Sequence, residues 1–206
     1  TAIPGLLLGS SLPSISISAL TLLGTALMSS SAAVFNQVIE KDIDSNMERT
    51  CFRSIPAGCV SLTSGVIFGL TLGFCGFFIL FNFTTSLAAW ISLAAHLFYV
   101  VIYTVILKRR TAQNIVIGGI SGAVGPLIAC AAVYGELKWE AWVLFLIITL
   151  WTPPHFWALA LKYKDDYAKA KIPMYPVVYG VKKTKREMTI YSFALIPSVL
   201  SLFVWG

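Results

Sequence analysis

The chain has 206 residues, 57% of them apolar and only 12% charged, and a mean hydropathy of +0.81. Such values exclude a soluble globular domain. The net charge of +6 comes without a soluble module carrying aromatic or helical readout elements, which excludes nucleic acid as a partner. Cys51, Cys59, Cys75 and Cys130 form no C-x-x-C pair, so a disulfide framework or a zinc site is not expected.

Apolar runs at 15–39, 60–81, 86–107, 114–134, 141–161 and 188–206 each approach the ~20 residues that cross a bilayer as a helix. Residues 1–13 are apolar but too short to span. The expected architecture is all-α, a polytopic transmembrane helix bundle forming a single domain over 1–206. The chain reads as the middle of a longer protein, truncated at both ends, with no charged leader and cleavage site. Every Lys and Arg except Lys138 falls in the connections after residues 39, 107 and 161. The positive-inside rule puts those connections on the cytoplasmic side, or on its mitochondrial equivalent, the matrix.

The first spanning run is rich in Ser and Gly, which lets helices approach closely. It ends in the polar stretch Asn36 to Arg53, where Asn36, Glu40, Asp44 and Glu48 recur every four residues. At about 100° per residue each step drifts only about 40° around a helix, so a helix continuing past the apolar run would carry their oxygens as one stripe. A hard cation such as Mg²⁺ takes ligands of this kind and shares phosphate oxygens; a solvated, capped helix end is the plainer reading. In the next run Gly65, Gly69 and Gly73 make two overlapping G-x-x-x-G steps, a helix contact face. Asn82-Phe83-Thr84 matches a glycosylation acceptor and is treated as chance, because its short loop hugs the membrane.

His96 sits near the middle of 86–107, either as a functional intramembrane group or as a hydrogen-bonded helix contact. The run ends in Lys108, Arg109 and Arg110, which serve as interfacial anchors or as a clamp on an anion. Gly118, Gly119, Gly122, Gly125 and Pro126 are expected to break the 114–134 run where it borders a chamber. In the 141–161 run, Pro153-Pro154 is expected to kink the helix just before His155, between Trp151 and Trp157, with His155 pointing into protein or cavity. The long connection 162–187 contains Asp165 and Asp166 and is expected to be a lid or site element.

Two carboxylate clusters on one side, cations nearby and an apolar aromatic interior fit a lipid diphosphate held through Mg²⁺. Its greasy tail would run into the membrane, and a water-poor chamber would protect an allylic carbocation. A channel or transporter is the rival from another class, but the chain shows no clear internal repeat.

The motifs resemble a known family. Asn36-x-x-x-Glu40-x-x-x-Asp44 with Met47-x-Arg49-Thr50-x-x-Arg53, Tyr103 to Thr111 followed by Asn114 to Gly119, Leu150 to Leu159, and Asp165-Asp166-Tyr167 through Ile172-Pro173-Met174 to Gly180 are similar to the four signatures of the protohaem IX farnesyltransferases. These form the haem O synthase branch of the UbiA-type intramembrane prenyltransferase superfamily. The resemblance covers about residues 34 to 180; Glu40 stands where many members have Asp, Ser54 follows Arg53 where an Arg-Pro pair is usual, and Gly125-Pro126 replaces a double proline.

What the resemblance implies is transfer of farnesyl from farnesyl diphosphate to a vinyl group of haem B, with Mg²⁺-assisted loss of diphosphate and addition of water to give haem O. It implies Asn36, Glu40, Asp44, Asp165 and Asp166 as metal ligands, with Lys108 beside them in catalysis. Arg49, Arg53 and Arg109 would contact diphosphate or haem propionates, His155 would be the haem-side residue, and Tyr103, Asn114, Trp157 and Tyr167 would contact substrate. It further implies a bacterial plasma membrane or mitochondrial inner membrane, with terminal-oxidase assembly factors or haem A synthase as partners. A quinone-precursor prenyltransferase with the same metal site and a non-catalytic haem-binding subunit remain as alternatives.

Overall fold

The computed structural model describes residues 1–9 and 12–205, with side chains through Leu202. The regular structure of the described residues is all helical: α1 (Ile3–Leu6), α2 (Ile15–Ile39), α3 (Lys41–Asp44), α4 (Leu62–Phe83), α5 (Ser86–Leu97), α6 (Asn114–Ala123), α7 (Gly125–Tyr134), α8 (Trp139–Lys162), α9 (Lys164–Lys169) and α10 (Tyr175–Trp205). α5 runs on as a π-helical stretch, Phe98–Leu107. Among the described residues five spans are long and apolar enough to cross a membrane, and Asn114–Tyr134 is by far the most buried; the bundle is built around it.

Small residues set the closest pairing. α2 and α4 pack along their length, with Ser31 Oγ donating to the Gly69 carbonyl at 2.7 Å. A Cβ at Gly76 would stand 2.9 Å from the Gly24 carbonyl oxygen and from Met28 Cγ, so the glycine-spaced face of α4 is the contact face its sequence predicts.

The 114–134 run breaks where glycine and proline predict. α6 gives way to α7 at Val124, and Pro126 sits in the first turn of α7, where its missing N–H costs nothing. Helix α8 passes through Pro153 and Pro154 without ending; Pro153, packed inside the bundle, tolerates the lost amide as membrane helices do. Much of 162–187 is helical, as α9 and as the start of α10, which kinks at Gly180 with φ 79°. Gly206 lies outside the described residues.

Buried clusters mark two ends. One gathers Met28, Leu80, Ala88, Ala89 and Ile128. The other gathers Ile43, Met47, Ile115, Trp157, Tyr167 and Met174 beneath the connections that hold the charges. Here Tyr103 lies flat against Gly118, whose missing side chain admits the ring. A Gly118→Ala variant is expected to push Tyr103 aside and to destabilise the protein by about 1–3 kcal/mol, read as a lowered thermal midpoint in detergent.

Candidate active site

The four-residue stripe holds for three members and then ends. α2 stops at Ile39, yet Glu40 N still bonds the Asn36 carbonyl at 2.9 Å and Asp44 N the Glu40 carbonyl at 2.8 Å. Asn36, Glu40 and Asp44 therefore stay aligned and buried. Glu48 leaves the row after the turn at Ser45–Asn46 and faces outward, where Lys169 of α9 pairs with it at 3.5 Å.

Each of the three meets a different element. Asn36 Nδ2 donates to Thr104 Oγ1 at 3.4 Å, leaving its amide oxygen as the free acceptor. Glu40, with 0% of its side chain exposed, takes Lys108 Nζ onto Oε2. Asp44 Oδ2 accepts Arg53 Nη1 at 2.8 Å, and Thr50 Oγ1 ties the turn by donating to the Asp44 carbonyl at 3.1 Å.

The π-helical stretch explains how Lys108 arrives. Thr104 Oγ1 bonds the Tyr99 carbonyl at 2.9 Å, and Lys108 N bonds the Tyr103 carbonyl at 2.9 Å, both five residues back. The wider turn sets Lys108 between Glu40 and the Tyr103 ring, whose centroid lies 5.9 Å from Nζ; such stretches concentrate at functional sites. Asn114 secures the following turn, donating to the Thr111 carbonyl at 2.8 Å.

From the other side come α9 and its flanks. Asp166 is buried and Asp165 exposed, because neighbours on a helix point about 100° apart; of the two expected ligands, Asp166 is the one turned to the interior. Tyr167 is also buried. Burial pushes its phenol above the ordinary value, and the adjacent Arg49 pulls it the other way. Arg49 also lies 5.7 Å from the Tyr163 ring centroid. The two acidic segments, distant in sequence, thus share one end of the bundle.

Several expected residues stand elsewhere. Arg109 is engaged by Asp42, in a forked pair at 2.8 and 2.9 Å, and by the Ile39 carbonyl at 3.3 Å, so it closes the end of α2 instead of reaching inward. Trp157 is 1% exposed and packs on Tyr175 at 4.6 Å between ring centroids, as part of the core. His155 does not point inward: it is exposed and stacks on Trp151 at 4.2 Å between centroids, because α8 turns Thr152, Pro153 and Trp157 to the bundle and leaves residue 155 on the opposite face. Thr104 and Asp42 were not singled out from the sequence. Asp42 and Arg109 carry no mutual spacing signal, and a hydroxyl inside an apolar run looks like packing.

The Asp42 carboxyl is held below its ordinary 3.8, mainly by its hydrogen bonds from Arg109. A depressed carboxylate stabilises the fold above its unfolded value and loses that contribution as pH falls through the folded one. Asp42→Asn is therefore expected to shrink the drop in thermal midpoint between pH 5 and pH 3. A variant with an unchanged drop would remove Asp42 from that acid sensitivity.

Magnesium is tested by the donors present. Glu40 Oε1 and Asp166 Oδ2 are buried oxygens with no hydrogen-bond partner, and Asn36 offers an amide oxygen beside Glu40. Such hard oxygen donors fit Mg²⁺. Among the described residues no three His, Cys, Asp or Glu side chains gather into a metal site of their own, as suits an ion that completes its shell with phosphate and water.

Comparisons with known proteins bear on the family and the fold. The model of the UbiA prenyltransferase family matches residues 1–206. The chain is 49% identical over 204 residues to a protein of Leptospira biflexa named protoheme IX farnesyltransferase, covering 98% of this chain and 72% of that protein. It is 51% identical over 186 residues to one of the same name from Gloeobacter violaceus, covering 90% and 61%. A solved UbiA homolog from Archaeoglobus fulgidus bound to GPP and Mg²⁺ superposes with a TM-score of 0.78 at 14% identity, over 100% of this chain and 72% of that one. Its complex with DMAPP and Mg²⁺ gives 0.74 at 13% identity, over 94% and 68%; at these identities the likeness concerns the fold. With a family model matched from end to end over a bundle of the same fold, the chain belongs to the UbiA prenyltransferase family.

Proposed function

We propose that this membrane prenyltransferase transfers the farnesyl group of farnesyl diphosphate to one vinyl carbon of haem B, with loss of diphosphate and addition of water to the other vinyl carbon, giving haem O. The observation that carries the reading is the pair of buried, unpartnered carboxylate oxygens, Glu40 Oε1 and Asp166 Oδ2. Leaving such an acceptor unsatisfied costs about 1–3 kcal/mol or more, a cost that a bound cation removes. The names of the relatives from Leptospira biflexa and Gloeobacter violaceus support farnesyl and haem as the two substrates.

Asn36, Glu40, Asp44 and Asp166 would hold Mg²⁺, which when bound would supply charge neutralisation for a leaving diphosphate. Lys108, Arg49 and Arg53 supply donors to the remaining oxygens, Lys108 moving from Glu40 as the anion arrives. Tyr103 and Tyr167 present π faces towards the allylic carbon as positive charge grows. The apolar core beneath keeps water from the cation until the vinyl group has attacked it. Arg109 and Asn114 act by holding the turn that aims Lys108. By the distribution of Lys and Arg this end faces the cytoplasm or the mitochondrial matrix.

The test is turnover of the purified protein with farnesyl diphosphate, Mg²⁺ and haem B, analysed by mass. Conversion of a haem vinyl group to a hydroxyethylfarnesyl group, a gain of farnesyl and hydroxyl, supports the reading. Farnesylation of a quinone precursor with haem unchanged would sink it.

A further inference from the structure

A cavity of about 290 Å³ lies in the membrane-spanning part of the bundle, between α2, α5 and the α6–α7 break. Ser29, Ala33 and Gly122 on its lining are exposed, so it opens sideways towards the bilayer. Its walls are unusual for a hydrocarbon pocket. Ala32, Ala95 and Gly125 give small, flat surfaces, while Thr25, Ser92, Ser121, Tyr99 and His96 add polar groups. Thr25 Oγ1 is buried and has no partner among the described residues.

His96 is oriented for work here. Its Nδ1 lies 3.3 Å from the Met28 carbonyl oxygen, which only accepts, so Nδ1 carries the hydrogen and Nε2 keeps the lone pair of the neutral ring. Phe35 packs edge-on against the ring at 5.9 Å between centroids and fixes its plane. A second-site hydrogen bond from the far nitrogen to a backbone carbonyl is how metal-binding imidazoles are held. An isoprenoid tail offers nothing to that lone pair, whereas a tetrapyrrole iron takes it.

We propose that His96 Nε2 is the axial ligand through which this cavity holds the iron of the haem substrate. The proposal rests on the haem reading above. At about 1.5 Å per residue, Met28 lies roughly 18 Å along α2 from Glu40, a span to be shared between the half-width of the porphyrin and the diphosphate with the first farnesyl carbon, so a porphyrin seated on His96 presents an edge on the side of the acids. A cavity of about 290 Å³ lies just below the usual range for small-molecule sites, so it grips only one part of the macrocycle, and the lateral opening admits the rest from the lipid. Of the chain's two histidines, this is the one that lines the cavity, since His155 stacks on Trp151 on the outer face of α8.

The experiment is optical titration of the purified protein in detergent with haem B, oxidised and dithionite-reduced, for wild type, His96→Ala, His96→Gln and His96→Gly. Expected are histidine-ligated spectra in wild type, their loss in His96→Ala and His96→Gln with haem affinity down at least about tenfold, and their return in His96→Gly on adding imidazole. Binding of farnesyl diphosphate in each variant reports that the bundle is folded. Histidine-type spectra that persist in His96→Ala would overturn the assignment and leave the haem reading standing. A wild type that takes up no haem yet prenylates another acceptor would overturn both.

Discussion

Replacing Glu40 by alanine is expected to abolish farnesyl transfer and to destabilise the protein at the same time. Its side chain is 0% exposed and pairs with Lys108, whose own side chain is only 17% exposed. Removing one partner of such a pair strands the other charge and costs about 3–5 kcal/mol. The same change takes an oxygen donor from the cation and frees Lys108 from its aim, so turnover should fall by at least about 10²–10³-fold. The two losses separate in the double variant Glu40→Gln with Lys108→Met, where no charge is buried unpaired. Its thermal midpoint in detergent should recover most of the way, while farnesyl transfer stays lost. Recovery of turnover together with stability would mean that the pair only holds α2 to the 108–113 turn.

How far the sequence disclosed this arrangement depended on the range of the physical signal. Span-length apolar runs and the G-x-x-x-G face of α4 are local patterns, and the helices and the α2–α4 contact follow them. The four-residue recurrence of Asn36, Glu40 and Asp44 gave the acidic row. It missed the departure of Glu48, because the turn at Ser45–Asn46 is set by Thr50 and Arg53 folding back on Asp44. His155 misled for a related reason: prolines and indoles around it suggested a pocket, but which face of α8 turns inward is decided by packing against α6 and α10. Spacing also could not separate Asp165 from Asp166, which lie on different faces of one turn. The pairing of Arg109 with Asp42 and the i−5 bonds around Thr104 depend on contacts across the bundle, where no sequence period reports them.

Asp166→Asn is expected to do the reverse of Glu40→Ala on stability while also removing activity. Asp166 is 7% exposed and its Oδ2 has no hydrogen-bond partner, so in the folded protein the carboxylate makes no bond through that oxygen. Asparagine keeps the shape and discards the buried charge, whose desolvation opposes folding. The thermal midpoint without Mg²⁺ and diphosphate should therefore hold or rise, as it does where a site sacrifices stability for function. With farnesyl diphosphate present, wild type should gain stability as Mg²⁺ is added, because a ligand bound to the native state alone raises the midpoint by mass action. Asp166→Asn should gain much less, and its turnover should need far more Mg²⁺ or fail at any concentration. The neighbouring Asp165→Asn, on the exposed side of the same turn, should leave both titrations close to wild type. A variant in which Asp166→Asn keeps the wild-type Mg²⁺ response, and Asp165→Asn loses it, would reverse the assignment of the two carboxylates and with it the direction from which α9 meets the substrate.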